Sequence, residues 1–236
     1  MRESELRAEI VLRARELRTR SLTAGTSGNV SARHDGVFLI TPSGVPYEQM
    51  GPDDVVPVIL HENGIAQDDV PSSEWQFHRD IYKSRPDVKA IVHAHPLFCT
   101  ALACTRRDIP AFHYMVAVAG GKSIRCARYA TFGTEELSRN VLEALDERRA
   151  CLIANHGSVT VGEDLESALN LMEELEWLAS QYTEALKIGD PVLLTDSEMD
   201  EVLERFKTYG QAGREARVAG SSEQVMWFGA YVPRKR

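Results

Sequence analysis

The run Val88-Lys89-Ala90-Ile91-Val92-His93-Ala94-His95-Pro96 constrains this chain more than any other segment. An extended backbone places alternate residues on one face, so Ile91, His93 and His95 project together. The two imidazoles then stand ~6.5–7 Å apart at Cα by the rise of a strand. That spacing lets two ring nitrogens reach one cation at the ~2.0–2.1 Å of a zinc–imidazole bond. Alone, an H-x-H pair is more often packing than ligation. Its company raises the metal reading. His156 lies in the tight turn Asn155-His156-Gly157 between two apolar segments, CLIA and SVTVG, where a buried sheet ends and a pocket can open. Three neutral imidazoles with one position left open form the donor set of a catalytic rather than a closed structural site. His34, His61 and His78 read as loop, loop and helix surface.

The segment PSSEWQFHRDIYKSRP precedes the histidine run and reads as a helix, with Ser73 and Gln76 at capping-box spacing and Pro86 closing it. Glu74 falls in its first turn, where the helix dipole favours a carboxylate. It is either a cap or, beside a metal, a proton carrier at a carbon centre.

Three short segments are rich in hydroxyl, amide and glycine residues: Thr26-Ser27-Gly28-Asn29, Thr41-Pro42-Ser43-Gly44 and Pro71-Ser72-Ser73. Each alone is an ordinary turn. Together, with the third opening a helix, they suit a phosphate monoester. Gly120-Gly121-Lys122-Ser123 imitates a nucleotide loop, but Val116 replaces the required first glycine and a strand-like IRCARYA follows.

Elsewhere, the spacing of Leu6, Ile10, Ala14 and Leu17 predicts a helix over about 4–20. AGTSGNVSAR reads as a loop, VFLI as a short strand, and VVPVIL (55–60) as an edge or bulged strand because of Pro57. FGTEELSRNVLEALDERR predicts an amphipathic helix capped near Thr134. A long helix is expected over about 164–187, ending at Gly189-Asp190-Pro191, and a last one over about 197–208. Strands and helices interleave without strict βαβ units. The fold class is therefore α/β, with a mixed, largely antiparallel sheet covered by helices. No repeat or linker marks a boundary, so residues 1–236 read as one domain, with about 218–236 as a C-terminal tail.

The charge balance, 27 basic against 35 acidic residues, argues against a duplex nucleic-acid surface. It leaves room for a small anion held by amides and hydroxyls. No apolar run reaches the ~18 residues of a membrane span, and the charged first twenty residues are not a signal peptide. Cys99, Cys104, Cys126 and Cys151 form no CxxC pair and read as buried thiols of a reducing cytoplasm.

Taken together, TSGNVS, ITPSG, PSSE, VHAHP, HYMVAVAGG and ANHG resemble the class II aldolase/adducin family over nearly the whole chain. IPAFHYMVAVAGGKSI, YATFGTEELS and FKTYG are similar to its sugar-phosphate aldolases in particular. The resemblance implies a three-layer α/β/α domain that forms a homotetramer with sites at subunit interfaces. It implies one Zn²⁺ per subunit on His93, His95 and His156, with Glu74 as a further ligand and as catalytic carboxylate. Gly28, Asn29, Ser43, Gly44, Ser72 and Ser73 match phosphate-binding positions. Tyr114 matches a tyrosine that reaches a neighbouring subunit's site, and Tyr209 one that closes over the substrate. Two departures stand out. Asn155 replaces what is often a second histidine, and AYVPRKR has no clear counterpart.

The activity so implied is that of an aldehyde-lyase. It cleaves a ketose 1-phosphate, such as L-fuculose 1-phosphate or a 5-deoxypentulose 1-phosphate, into dihydroxyacetone phosphate and a short aldehyde such as L-lactaldehyde. Related alternatives are a pentulose-5-phosphate 4-epimerase, which usually carries Asp at the Glu74 position, and a sugar-phosphate dehydratase. A non-enzymatic adducin-like module would lack the histidines that this chain retains.

Overall fold

A computed structural model describes residues 2–60 and 70–208. His61, Tyr209 and the tail lie outside the described residues. The strands are β1 (Asn29–His34), β2 (Val37–Ile40), β3 (Val56–Ile59), β4 (Ala90–Ala94), β5 (Cys126–Ala127), β6 (Ala150–Ile153) and β7 (Gly157–Gly162). They form one sheet in the order β3-β2-β1-β4-β7-β6-β5, antiparallel throughout except for the β5–β6 pair. The helices are α1 (Glu3–Thr19), α2 (Trp75–Ser84), α3 (Leu97–Cys104), α4 (Glu135–Ala144), α5 (Leu165–Ile188) and α6 (Asp196–Thr208).

Alternation along the strands splits the apolar residues between two cores. Val30, Ala32, Leu39, Val92 and Leu152 pack with α1, α3 and α5. Phe38, Ile40, Val58, Ile91, Ile153 and Val159 pack with α2 and α4 on the other face. The result is the expected three-layer arrangement, each layer burying one apolar stripe. Pro57 sits in β3, at the sheet edge, where its missing N–H breaks no ladder.

Several local expectations need correction. The segment read as a loop continues into β1. The α2 helix starts at Trp75 with Glu74 as its N-cap residue, and no Ser73–Gln76 capping box forms. The helix α3 has no counterpart among the elements that the sequence pattern predicts. His34 ends β1 instead of lying in a loop. Cys99 and Cys151 are buried as expected, whereas Cys126 is only partly covered and Cys104 is exposed.

Candidate functional site

The site lies where β4, the β6–β7 turn and the start of α2 meet, on the α2/α4 side of the sheet. His93 is fully buried within β4, sharing a face with Ile91, and His95 follows one residue past the strand end. His156 occupies the turn between β6 and β7. Asn155 before it adopts φ 54°, a left-handed conformation that Asn tolerates well. Its Oδ1 accepts from Arg106 Nε at 2.9 Å, tying the turn to the end of α3.

Two glycines allow these segments to approach. A Cβ on Gly157 would stand 2.5 Å from the Ala94 carbonyl oxygen and 2.7 Å from His95 Cδ2. One on Gly28, at φ +88°, would stand 2.6 Å from the His93 carbonyl oxygen. Both positions admit only hydrogen.

The three imidazoles form a near-symmetric set. Each pair of ring centroids is 4.9 Å apart, with interplanar angles of 69°, 74° and 79°. Their candidate ligand atoms all lie within 4.8 Å of one another. His93 Nδ1 donates to the Ser158 carbonyl at 2.9 Å, which turns its Nε2 toward the cluster. That Nε2 lies 3.1 Å from His95 Nε2 and 3.1 Å from Glu74 Oε2, while Glu74 Oε1 lies 3.3 Å from His156 Nε2. Donors around a tetrahedral zinc stand about 3.3 Å apart, given bonds of ~2.0–2.1 Å. Glu74 Oε1 is also buried without a hydrogen bond. This donor set fits a divalent cation.

The charge states of Glu74, His95 and His156 agree with that use. Burial pushes the Glu74 carboxyl up, but the imidazoles of His93 and His156 prevail and hold it down to about 2. Burial first, and the other imidazoles second, hold His95 down to about 3 and His156 to about 4. Burial alone would lower His93, yet the Glu74 carboxylate raises it overall. The Glu74 side chain caps nothing on its own helix. Its carboxylate turns to the histidines instead.

The three hydroxyl-rich loops lie side by side next to this cluster. Pro42 and Pro71 form a bridge, Ser43 N donates to the Val70 carbonyl at 3.1 Å, and Ser72 N donates to the Thr41 carbonyl at 3.0 Å. Tyr47 Oη holds the first loop through the Ser27 and Gly28 carbonyls at 3.2 and 2.7 Å. Ser43, Gly44 and Ser73 are exposed and Gly28 partly so. Ser72 Oγ accepts from Asn29 Nδ2 at 2.9 Å and from Glu74 N at 3.4 Å, which leaves its own proton free to donate. Asn29 is different: its amide is buried and fully engaged by Ser72, Glu74 and His78, so it works inward.

Tyr114 opens a 3-10 turn, Tyr114–Ala119, with its ring 51% exposed and packed on His113 at 4.8 Å. Among the described residues no hydrogen bond links it to the histidines. His78, read from the sequence as helix surface, is fully buried behind the site. Only the i, i+4 step from Glu74 could have flagged it.

Residues 8–183 match the Class II Aldolase and Adducin N-terminal domain. A Rhodospirillum rubrum protein, 5-methylthioribulose-1-phosphate/5-deoxyribulose-1-phosphate aldolase, is 50% identical over 205 residues, covering 87% of this chain and 92% of its own. An Escherichia coli K12 protein, L-fuculose phosphate aldolase, is 47% identical over 212 residues, covering 89% and 98%. A solved structure of L-fuculose 1-phosphate aldolase superposes with a TM-score of 0.83 at 41% identity, covering 88% and 98%.

Proposed function

This chain belongs to the class II aldolase and adducin family, and from that premise we propose that it reversibly cleaves a ketose 1-phosphate to dihydroxyacetone phosphate and a short aldehyde. The observation that carries the proposal is the meeting of three convergent imidazoles, one ionised buried carboxylate and three hydroxyl-rich loops.

His93, His95 and His156, with Glu74 as a further ligand in the absence of substrate, would hold one Zn²⁺ per subunit. When bound, the ion supplies Lewis acidity toward the charge that develops when the C3–C4 bond breaks. Ser43, Gly44, Ser72 and Ser73, with the Gly28 loop and the first amides of α2, bind the phosphate and so fix which face of C3 meets Glu74. Glu74 Oε1 takes and returns the C3 proton. Asn29, matched by sequence to the phosphate site, contributes through Glu74 and Ser72 instead. No lysine is among the residues assigned here to the metal, the phosphate or the proton transfers, and the reaction uses no Schiff base.

Tyr114 would handle the proton on the C4 oxygen of a neighbouring subunit's substrate. Its half-exposed ring supports that role. The chain would then work as a homotetramer in the cytoplasm, with Tyr209 completing the site. The two relatives are named for different sugar phosphates, a deoxyhexulose and a modified pentulose, whose differences include the end remote from the phosphate. A distal pocket that sees a methyl or a thioether discriminates by only ~1–3 kcal/mol per methylene, so both sugars belong in the test. Metal-loaded protein is given L-fuculose 1-phosphate, 5-deoxyribulose 1-phosphate, its 5-methylthio analogue and a pentulose 5-phosphate. Release of dihydroxyacetone phosphate from one or more 1-phosphates is expected. Isomerisation of the 5-phosphate without release would replace the proposal with epimerase chemistry.

A further inference from the structure

A chain of buried polar groups runs from the far end of α2 to the catalytic carboxylate. Glu74, His78 and Tyr82 recur at steps of four along α2, on one face of the helix. Asn29 and Ser31 recur at a step of two along β1, on the sheet face that α2 covers. The two sets interdigitate in the order Tyr82, Ser31, His78, Asn29, Glu74. Tyr82 Oη lies 2.8 Å from Ser31 Oγ, and Ser31 Oγ lies 2.7 Å from His78 Nδ1. His78 Nε2 lies 2.5 Å from Asn29 Oδ1, and Asn29 Nδ2 lies 3.2 Å from Glu74 Oε2. The four supporting side chains are at most 1% exposed.

The chain can run in only one direction. An ionised carboxylate accepts and cannot donate, so Asn29 must present its NH₂ to Glu74 and its oxygen to His78. His78 must then carry its proton on Nε2, which leaves Nδ1 to accept from the Ser31 hydroxyl. Ser31 in turn accepts from Tyr82. Burial, reinforced by His93, keeps His78 neutral by holding it down to about 3. An amide that is free to flip would offer its oxygen to the carboxylate half the time and repel it.

We propose that His78 is a positioning residue for the aldol reaction, locking the Asn29 amide so that Glu74 Oε2 is tethered and Oε1, which accepts no hydrogen bond, is the oxygen left to move the proton. This rests on the reading of Glu74 as the group that moves the C3 proton. Partners of this kind behind a reacting site typically matter ~10–100-fold.

Two measurements test it. In zinc-loaded protein with ¹⁵N-labelled histidine, His78 should report a neutral ring protonated on Nε2 across pH 6–9. An Nδ1–H tautomer or an imidazolium overturns the relay. Second, His78→Phe should lower kcat for the best ketose 1-phosphate by ~10–100-fold with KM little changed, and Asn29→Ala, which also releases Ser72 in the phosphate site, should lower kcat at least as much and raise KM. The double variant should be no worse than the poorer single one, since both act on one group. Losses that multiply would overturn the proposal, as would a full-activity His78→Phe. If these variants do not fold, the tautomer still decides. If the wild type cleaves no ketose 1-phosphate, the ¹³C carboxylate signal of Glu74 decides: a shift in His78→Phe sustains the relay and removes only the aldolase reading, and no shift overturns both.

Discussion

The Glu74 carboxylate meets His93 through Oε2, 3.1 Å from Nε2, and leaves Oε1 without a hydrogen bond. Oε2 is anchored by Asn29 as well, whereas Oε1 has only the His156 ring beside it, at 3.3 Å from Nε2. Glu74→Gln keeps the shape and removes the base, so metal content should stay near that of the wild type while cleavage falls ~10²–10⁴-fold. Elemental analysis beside steady-state kinetics checks this. Wild-type turnover in the variant would reduce Glu74 to a residue at a helix start.

The approach of the two histidine segments depends on Gly157. Because a Cβ there would stand 2.5 Å from the Ala94 carbonyl oxygen, Gly157→Ala must push His95 and His156 apart. We expect a loss of ~1–3 kcal/mol in urea unfolding, typical of overpacking, together with weaker metal binding by titration. Gly51→Ala, whose Cβ would meet only the Asp54 carboxylate at an ordinary 3.7 Å, is the control and should change neither.

His78 also gives the fold a pH signature. Its folded pKa, held down to about 3 by burial, lies below the ordinary unfolded value near 6.5. The unfolded chain therefore binds the proton first, and stability present above pH 6.5 is lost as pH falls toward 3. Between pH 7 and 5 this one residue should cost about 2 kcal/mol. Urea midpoints of wild type and His78→Phe, compared at both pH values, should show the smaller drop in the variant. Equal drops would place the titration elsewhere.

Tyr114 acting across a subunit boundary makes a claim about mixtures. Tyr114→Phe and Glu74→Gln chains, each nearly inactive alone, should regain activity when co-assembled, because some interfaces then pair an intact Glu74 with an intact neighbouring Tyr114. Mixed oligomers confirmed by native mass spectrometry, yet no more active than the separate variants, would confine Tyr114 to its own chain.

The histidine cluster is legible because a cation site demands specific residue types at specific spacings, and His93, His95 and the His156 turn carry them openly. The long helices were legible for a similar reason: α5 shows its apolar stripe over 24 residues. What escaped was whatever breaks the apolar pattern for a purpose. The β1 strand read as a loop because Asn29 and Ser31, on its inward face, are polar. They are polar because they serve His78 and Glu74. The α3 helix is apolar nearly all round and only eight residues long, so no period shows. Its N-terminal amides are capped by Glu176, about 80 positions away in sequence, with Oε2 accepting from Cys99 N at 2.9 Å. The burial of His78 is hidden from the sequence because a histidine on a helix gives no sign, by itself, of which side is covered.

The central claim is that this site moves one proton at carbon under a metal's influence, and hydrogen exchange measures that without any aldehyde. Dihydroxyacetone phosphate incubated in D₂O with the metal-loaded protein should exchange a single one of its two hydroxymethyl hydrogens. The exchange should stop on chelation, return with Zn²⁺, and be lost in Glu74→Gln. No exchange by the loaded protein, or exchange that survives complete removal of the metal, would contradict the account.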